Sequence, residues 1–252
     1  MTELMIHNAV IGFFVISGLS AFFTLLFITA PYGRHNRSGW GPSIPSKWGW
    51  IIMESPAVLL FLPIFFAGSH WNASVPIFLC VLWQAHYIHR TYIYPFRIRT
   101  PSKPMPVVVM LLAFVFQCLN AYVNARWISH LGDTYTYTLL SPSVLAGAAL
   151  FGAGVFINQW SDYILINLRQ PGETEYKIPY GGFFRWITCP NYFGEILIWC
   201  GWAWASWSVA GWTFAFFTIA NLVPRALKHH SWIRTKFVDY PAQRKAVLPF
   251  LL

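Results

Sequence analysis

Five ionisable side chains, Glu54, Arg90, Asp162, Glu195 and Arg225, interrupt runs of apolar residues long enough to be membrane helices. Charges in hydrocarbon are costly, so they face a cavity or one another and mark functional positions. Their neighbours extend the pattern. Asn158 and Asp162 are four apart, as are Asn191 and Glu195, while Tyr87, Arg90 and Tyr94 fall at i, i+3 and i+7. Each set therefore shares one face of its helix. Most of these residues lie near the same end of their helices, so they would line one pocket open to the cytoplasm; a pore would need them at all depths. Spacing alone leaves open a second reading, in which they are interhelical hydrogen bonds that only hold a bundle together.

The segment Asn167-Leu168-Arg169-Gln170-Pro171-Gly172-Glu173-Thr174-Glu175-Tyr176-Lys177-Ile178-Pro179-Tyr180-Gly181-Gly182 joins two of these polar faces. A cationic, aromatic, glycine-bearing loop suits a phosphate-bearing ligand, with Arg supplying a fork of donors and Tyr a stacking surface. An ordinary surface loop is the alternative. Other apparent motifs carry less. Gly147, Gly152 and Gly154 follow no strand and fit close helix packing, not a dinucleotide fingerprint. His86 with His89, and His229 with His230, lack an HExxH or a supporting carboxylate pair, so no metal is expected. No GxSxG supports acyl transfer. Cys80, Cys118, Cys189 and Cys200 stand singly in apolar segments and read as small buried hydrophobes.

The elements that must position these groups are membrane helices. The chain is 56% hydrophobic, 19% aromatic and only 10% charged, far more apolar than a soluble domain. A spanning helix needs about 20 apolar residues. Seven windows qualify, 6–30, 48–67, 75–94, 107–127, 143–166, 190–207 and 209–227. The first has no basic leader and is too long for a signal-peptide core. With the 31–47 loop inside, every one of the 17 Lys and Arg residues except Arg126 falls at or near the cytoplasmic side. This predicts a single all-α, seven-span membrane domain over 1–252, N-terminus out and C-terminus in. The net charge of +9 then reflects topology; basic residues scattered between apolar runs make no continuous face for nucleic acid.

Three stretches, Asn158-Gln159-Trp160-Ser161-Asp162-Tyr163-Ile164-Leu165, Leu168-Arg169-Gln170-Pro171-Gly172-Glu173 and Ile178-Pro179-x-Gly181-Gly182, resemble the steroid 5-alpha-reductases. So do His86-Tyr87-x-His89-Arg90-Thr91, Asn191-Tyr192-Phe193-Gly194-Glu195-Ile196, Arg225 to His230, and Asp239-Tyr240-Pro241 with Arg244-Lys245-Ala246 before Pro249-Phe250. The likeness runs from about Glu54 to the end. It implies a seven-helix reductase that uses NADPH to saturate the double bond conjugated to a ketone, as in a 3-oxo-delta-4 steroid. Glu54 and Tyr87 would then hydrogen-bond the substrate carbonyl, while Arg90, Tyr94, Asn158, Asp162, Arg169, Tyr176, Asn191, Glu195 and His229 would line the NADPH site, with Arg225 in the same network.

Two departures qualify the likeness. Met53 stands before Glu54 where animal members usually carry Gln, so a polar substrate contact is missing or replaced. Lys177 stands where they tend to have Arg. Reduction of another lipid, a polyprenol or long-chain enoyl derivative, therefore stays open, as does a membrane lipid methyltransferase; a transporter would need inverted halves or midplane charges. The expected partners are a steroid or other lipid enone and membrane lipids, with the chain a monomer. Short loops and no retention signal favour a bacterial inner membrane over the endoplasmic reticulum.

Overall fold

The computed structural model describes residues 2–29, 39–99, 103–170 and 172–252. Residues 31–38 of the first basic loop, Pro101 and Ser102 of the second, and Pro171 lie outside them. Helix α1 (Glu3–Phe27) begins at Thr2, whose hydroxyl accepts from the Met5 amide. It is followed by α2 (Ser46–Leu59), α3 (Phe61–Phe66), α4 (Ser74–Ile88), α5 (Tyr94–Arg97), α6 (Val107–Arg126), α7 (Pro142–Asn167), α8 (Pro190–Ser206) and α9 (Val209–Lys236). Taken with their continuations these make seven helical rods among the described residues, and each falls on one of the apolar windows.

Four stretches, Glu3–Phe27, Ser46–Phe66, Val107–Leu131 and Pro142–Asn167, are long and apolar enough to cross a membrane. By contrast α8 is only 17 residues long, and α9 overruns its apolar window of 209–227 to reach Lys236. The overrun carries Lys228, His229, His230, Trp232 and Arg234, a polar extension that keeps the helical period beyond the hydrophobic stretch.

The chain is not wholly helical. Residues Ser43–Pro45 (β1) and Pro104–Pro106 (β2) form a two-stranded antiparallel ladder with Ile44 opposite Met105. Periodicity cannot reveal a strand of three residues, and the prolines that mark these segments as loops are tolerated because both strands are edges. The ladder ties together the segments entering α2 and α6.

Glycine decides how closely α7 and α8, the most extensively packed pair, approach. Gly147 and Gly154, seven apart on α7, meet Gly194 and Gly201, seven apart on α8. A Cβ on Gly194 would stand 2.6 Å from the Asn158 nitrogen, and one on Gly154 2.6 Å from the Ile198 nitrogen. Helices in lipid associate through such small-residue contacts. Gly152 differs, with nothing within 4 Å of its would-be Cβ, so it takes no part in this packing. Gly194→Ala is expected to lower stability by about 1–3 kcal/mol, as overpacking does, and to weaken any ligand held by Asn158. Thermal melting in detergent together with a nucleotide titration checks both, and an unchanged melt would contradict the packing.

At the end of the bundle away from the basic loops, Arg126 donates from Nε and Nη2 to the two carboxylate oxygens of Glu3, at 2.5 and 2.9 Å. The one cation on the wrong side of the charge pattern is thereby neutralised by a bidentate pair.

Candidate functional site

The ionisable residues that interrupt the helices meet around Arg90. Its Nη1 donates to Glu195 Oε1 at 2.8 Å and its Nε lies 3.7 Å from Glu54 Oε1, so one guanidinium from the turn that follows α4 stands between carboxylates of α2 and α8. Both carboxylates are at least nine-tenths buried. Burying such charges is tolerable only when they are paired and hydrogen-bonded. Glu195 satisfies this further, accepting from Asn158 Nδ2 at 3.1 Å and from Trp199 Nε1 at 3.2 Å. Asn158 also donates to the Asn191 carbonyl at 3.0 Å, and Asn191 Nδ2 donates to Asp162 at 3.3 Å.

Arg90 is held by its own backbone as much as by its partners. Residues His89–Ile93 form a widened helical turn leading into Pro95. The Tyr94 amide bonds back to the His89 carbonyl, and the Arg90 carbonyl accepts instead from Trp50 Nε1 at 3.2 Å. Such widened turns often occur where a helix serves a site. The Trp50 ring also lies against the guanidinium, 4.8 Å from centroid to Cζ.

A cavity of about 900 Å³ opens at the end of the bundle where the basic loops lie. Its inner wall is formed by Arg90, Asn158, Asp162 and Glu195, and Tyr94 and Asn191 lie on the same surface. Arg169, Tyr176, Arg225 and His229 complete the set expected to hold a cofactor, all on this one cavity. Arg225 reaches it by a different route, bonded to Asn221 at 3.0 Å and to the Tyr192 hydroxyl at 3.4 Å. Near the mouth, Lys103 Nζ donates to the Tyr176 hydroxyl at 2.8 Å, and Arg169 and Lys236 stand 5.5 and 5.2 Å from its ring. The His229 ring stacks on Trp232 at 5.7 Å. Lys177 also lines the cavity but is hydrogen-bonded to Glu173, whose carboxyl this bond holds below its ordinary range.

Glu54, Tyr87 and Met53 lie elsewhere, deeper in the bundle. Tyr87 is 1% exposed, with its ring between Trp83 and Trp199 at 4.8 and 5.4 Å. Glu54 and Tyr87 share no hydrogen bond. The Gln117 carboxamide stands between them, Nε2 donating to Glu54 Oε2 at 2.5 Å and lying 3.4 Å from the Tyr87 oxygen. Met53 packs in an apolar cluster with Met105 and Met110.

Gln117, Asn120 and Asn124 of α6 are the members of this site that sequence reasoning missed. Their spacing of i, i+3 and i+7 is the same signal that picked out Tyr87, Arg90 and Tyr94, but a search that starts from charged residues and their neighbours on the same face finds Asn158 and Asn191 and passes over amides with no charged residue beside them.

Comparison of the sequence with known proteins finds relatives. The family model described as 3-oxo-5-alpha-steroid 4-dehydrogenase matches residues 103–252. Steroid 5-alpha-reductase DET2 of Gossypium hirsutum is 41% identical over 254 residues, spanning 99% of this chain and 98% of the relative. The DET2 of Arabidopsis thaliana is 41% identical over 90% of this chain and 89% of its own length. The 3-oxo-5-alpha-steroid 4-dehydrogenase 1 of Bos taurus is 42% identical over 93% of each chain.

Proposed function

The chain belongs to the 3-oxo-5-alpha-steroid 4-dehydrogenase family, and from that premise we propose that it is an NADPH-dependent reductase of 3-oxo-delta-4 steroids, yielding the 5-alpha-reduced ketone. The observation that carries this reading is the connection from Glu195 through Arg90 to Glu54 and on through Gln117 to Tyr87. It links a cation-rimmed cavity to a buried phenol.

The donor set of the cavity fits a phosphorylated dinucleotide. Arg169, Lys103 and Lys236 gather around Tyr176 near its mouth. Asn158, Asn191 and Asp162 offer amides and a carboxylate deep inside. Cations would engage phosphates and the inner polar groups would orient the ring. When bound, NADPH supplies the hydride. The protein's part is to hold, orient and exclude water, and to meet the charge that develops on the substrate. Saturating an enone at its beta carbon builds negative charge on the distant ketone oxygen, and a hydroxyl preorganised there lowers the barrier. Tyr87 is that donor. Glu54 lies one carboxamide away and stands behind it.

In the same reading all seven rods cross the bilayer as one domain, N-terminus outside, with the cavity facing the cytoplasm. The paired Arg126 and the basic inner loops favour this orientation. Met53 in its apolar cluster beside Glu54 favours a second substrate class, another lipid enone, as the alternative.

Arg169→Ala is expected to raise the Kd for NADPH by about tenfold, the loss of roughly one charged hydrogen bond, with little change in kcat. Fluorescence titration measures it, and an unchanged Kd would remove Arg169 from the phosphate site. The reaction itself is tested by NADPH consumption in detergent with testosterone or progesterone and mass spectrometry of the product. A gain of two hydrogens at the ring double bond supports the steroid reading. Binding of NADPH without consumption would point to a different enone. Failure to bind NADPH would overturn the cofactor and return a lipid methyltransferase to consideration.

A further inference from the structure

Behind the proposed ketone site runs a hydrogen-bond chain whose direction is fixed at its far end. The Trp202 indole can only donate, and it donates to Asn124 Oδ1 at 2.9 Å. Asn124 must then present its amide nitrogen to Asn120 Oδ1, at 2.9 Å. Asn120 in turn donates to Gln117 Oε1 at 3.1 Å, leaving the Gln117 nitrogen to donate to Glu54 at 2.5 Å. Turning over any one of these amides would set donor against donor or acceptor against acceptor. One donor-only ring on α8 therefore orients three carboxamides on α6.

Tyr87 lies beside this chain. Its oxygen is 3.4 Å from the side-chain nitrogens of both Asn120 and Gln117, so the amide hydrogens point at it. Among the described residues its own proton has only Gln117 Oε1, at 3.5 Å, an oxygen already occupied by Asn120. At that distance the bond is at the edge of what counts as one. The phenol is thus supplied with donors and left with a nearly uncommitted proton.

We propose that Gln117 is a positioning residue of the reductase, set by the Trp202–Asn124–Asn120 chain so that the Tyr87 proton is offered to the substrate ketone while Glu54 is held as an acceptor behind it. This rests on the ketone-binding role given to Tyr87 above. Amide hydrogens aimed at the Tyr87 oxygen would meet the charge left there as its proton shifts toward the substrate. Met53, packed on Met105 and Met110, contributes no amide, so in this chain the carboxamide at the ketone end comes from α6. A plain weld between α6 and α8 is the competing account, and the two differ in what they do to turnover.

The test measures kcat with testosterone, NADPH affinity and the melting temperature for the parent, Gln117→Leu and Trp202→Phe. Gln117→Leu is expected to lower kcat by about tenfold or more, as loss of one aligned group at an oxyanion site does, with the Kd for NADPH within twofold of the parent. Trp202→Phe, which among the described residues removes a hydrogen bond to Asn124 and none to Glu54 or Tyr87, is expected to lower kcat several-fold with the same unchanged Kd, because it releases the direction of the chain. Should Gln117→Leu fail to fold, Trp202→Phe decides alone. A drop in melting temperature with kcat unchanged in the folded variants would establish the weld and overturn the proposal, while leaving the reductase reading intact. A parent that binds NADPH yet reduces no enone would overturn the reductase reading and this inference with it.

Discussion

Tyr87→Phe is expected to cut turnover by about 10²- to 10³-fold, the loss seen when one donor is removed from an oxyanion site, while the Kd for NADPH stays within about twofold of the parent. The ring would keep its place, because it is fixed by Trp83 and Trp199 and not by its hydroxyl, whose hydrogen-bond contacts are all 3.4 Å or longer. Little stability should be lost for the same reason. The residues proposed to hold the cofactor line a separate surface, connected to the Tyr87 hydroxyl through Gln117, Glu54 and Arg90 and to its ring through Trp199 and Glu195. Single-turnover kinetics with saturating NADPH isolates the chemical step. Full turnover with chemistry rate-limiting would dismiss Tyr87 as the ketone donor and with it the path from cavity to phenol.

Arg90→Leu should be the most damaging single change to the folded protein. It leaves Glu54 and Glu195, 6% and 5% exposed, without the cation that stands between them. Removing one partner of a buried ion pair costs about 3–5 kcal/mol, since the other charge stays buried and uncompensated. Here two carboxylates are stranded, and among the described residues Glu195 keeps the hydrogen bonds from Asn158 and Trp199, with His86 Nε2 3.7 Å away. Both melting temperature and NADPH binding should fall. Arg90→Lys separates charge from geometry: an ammonium cannot serve Glu195 through one nitrogen and approach Glu54 with another as the planar fork does. It is expected to recover part of the stability and little of the cofactor affinity. A melt unchanged in Arg90→Leu would mean that the two carboxylates are not held charged by this residue.

That the chain is a bundle of apolar helices suited to a membrane, and which of its ends is polar, was legible in the residues alone. Runs of about 20 apolar residues have few other solutions, and each of the seven windows is occupied by a helical rod. The cavity set was legible there too. Spacing on helical faces joined Asn158 to Asp162 and Asn191 to Glu195, the family motifs supplied Arg169, Tyr176 and His229, and these converge on one surface because α7 and α8 pack backbone to backbone through glycine.

How the two halves of the site are related emerges from the packing of the helices against one another. A period along one helix says which residues share a face but not which helix that face meets, so the meeting of Arg90 with both Glu54 and Glu195 could not be read from spacing. The ladder between Ser43–Pro45 and Pro104–Pro106 was hidden because three residues carry no period. The amides of α6 were hidden for another reason. Gln and Asn in an apolar run carry no charge to announce them, and their meaning depends on what lies opposite: Glu54 and Tyr87 for Gln117, and for Asn124 an indole that can only donate.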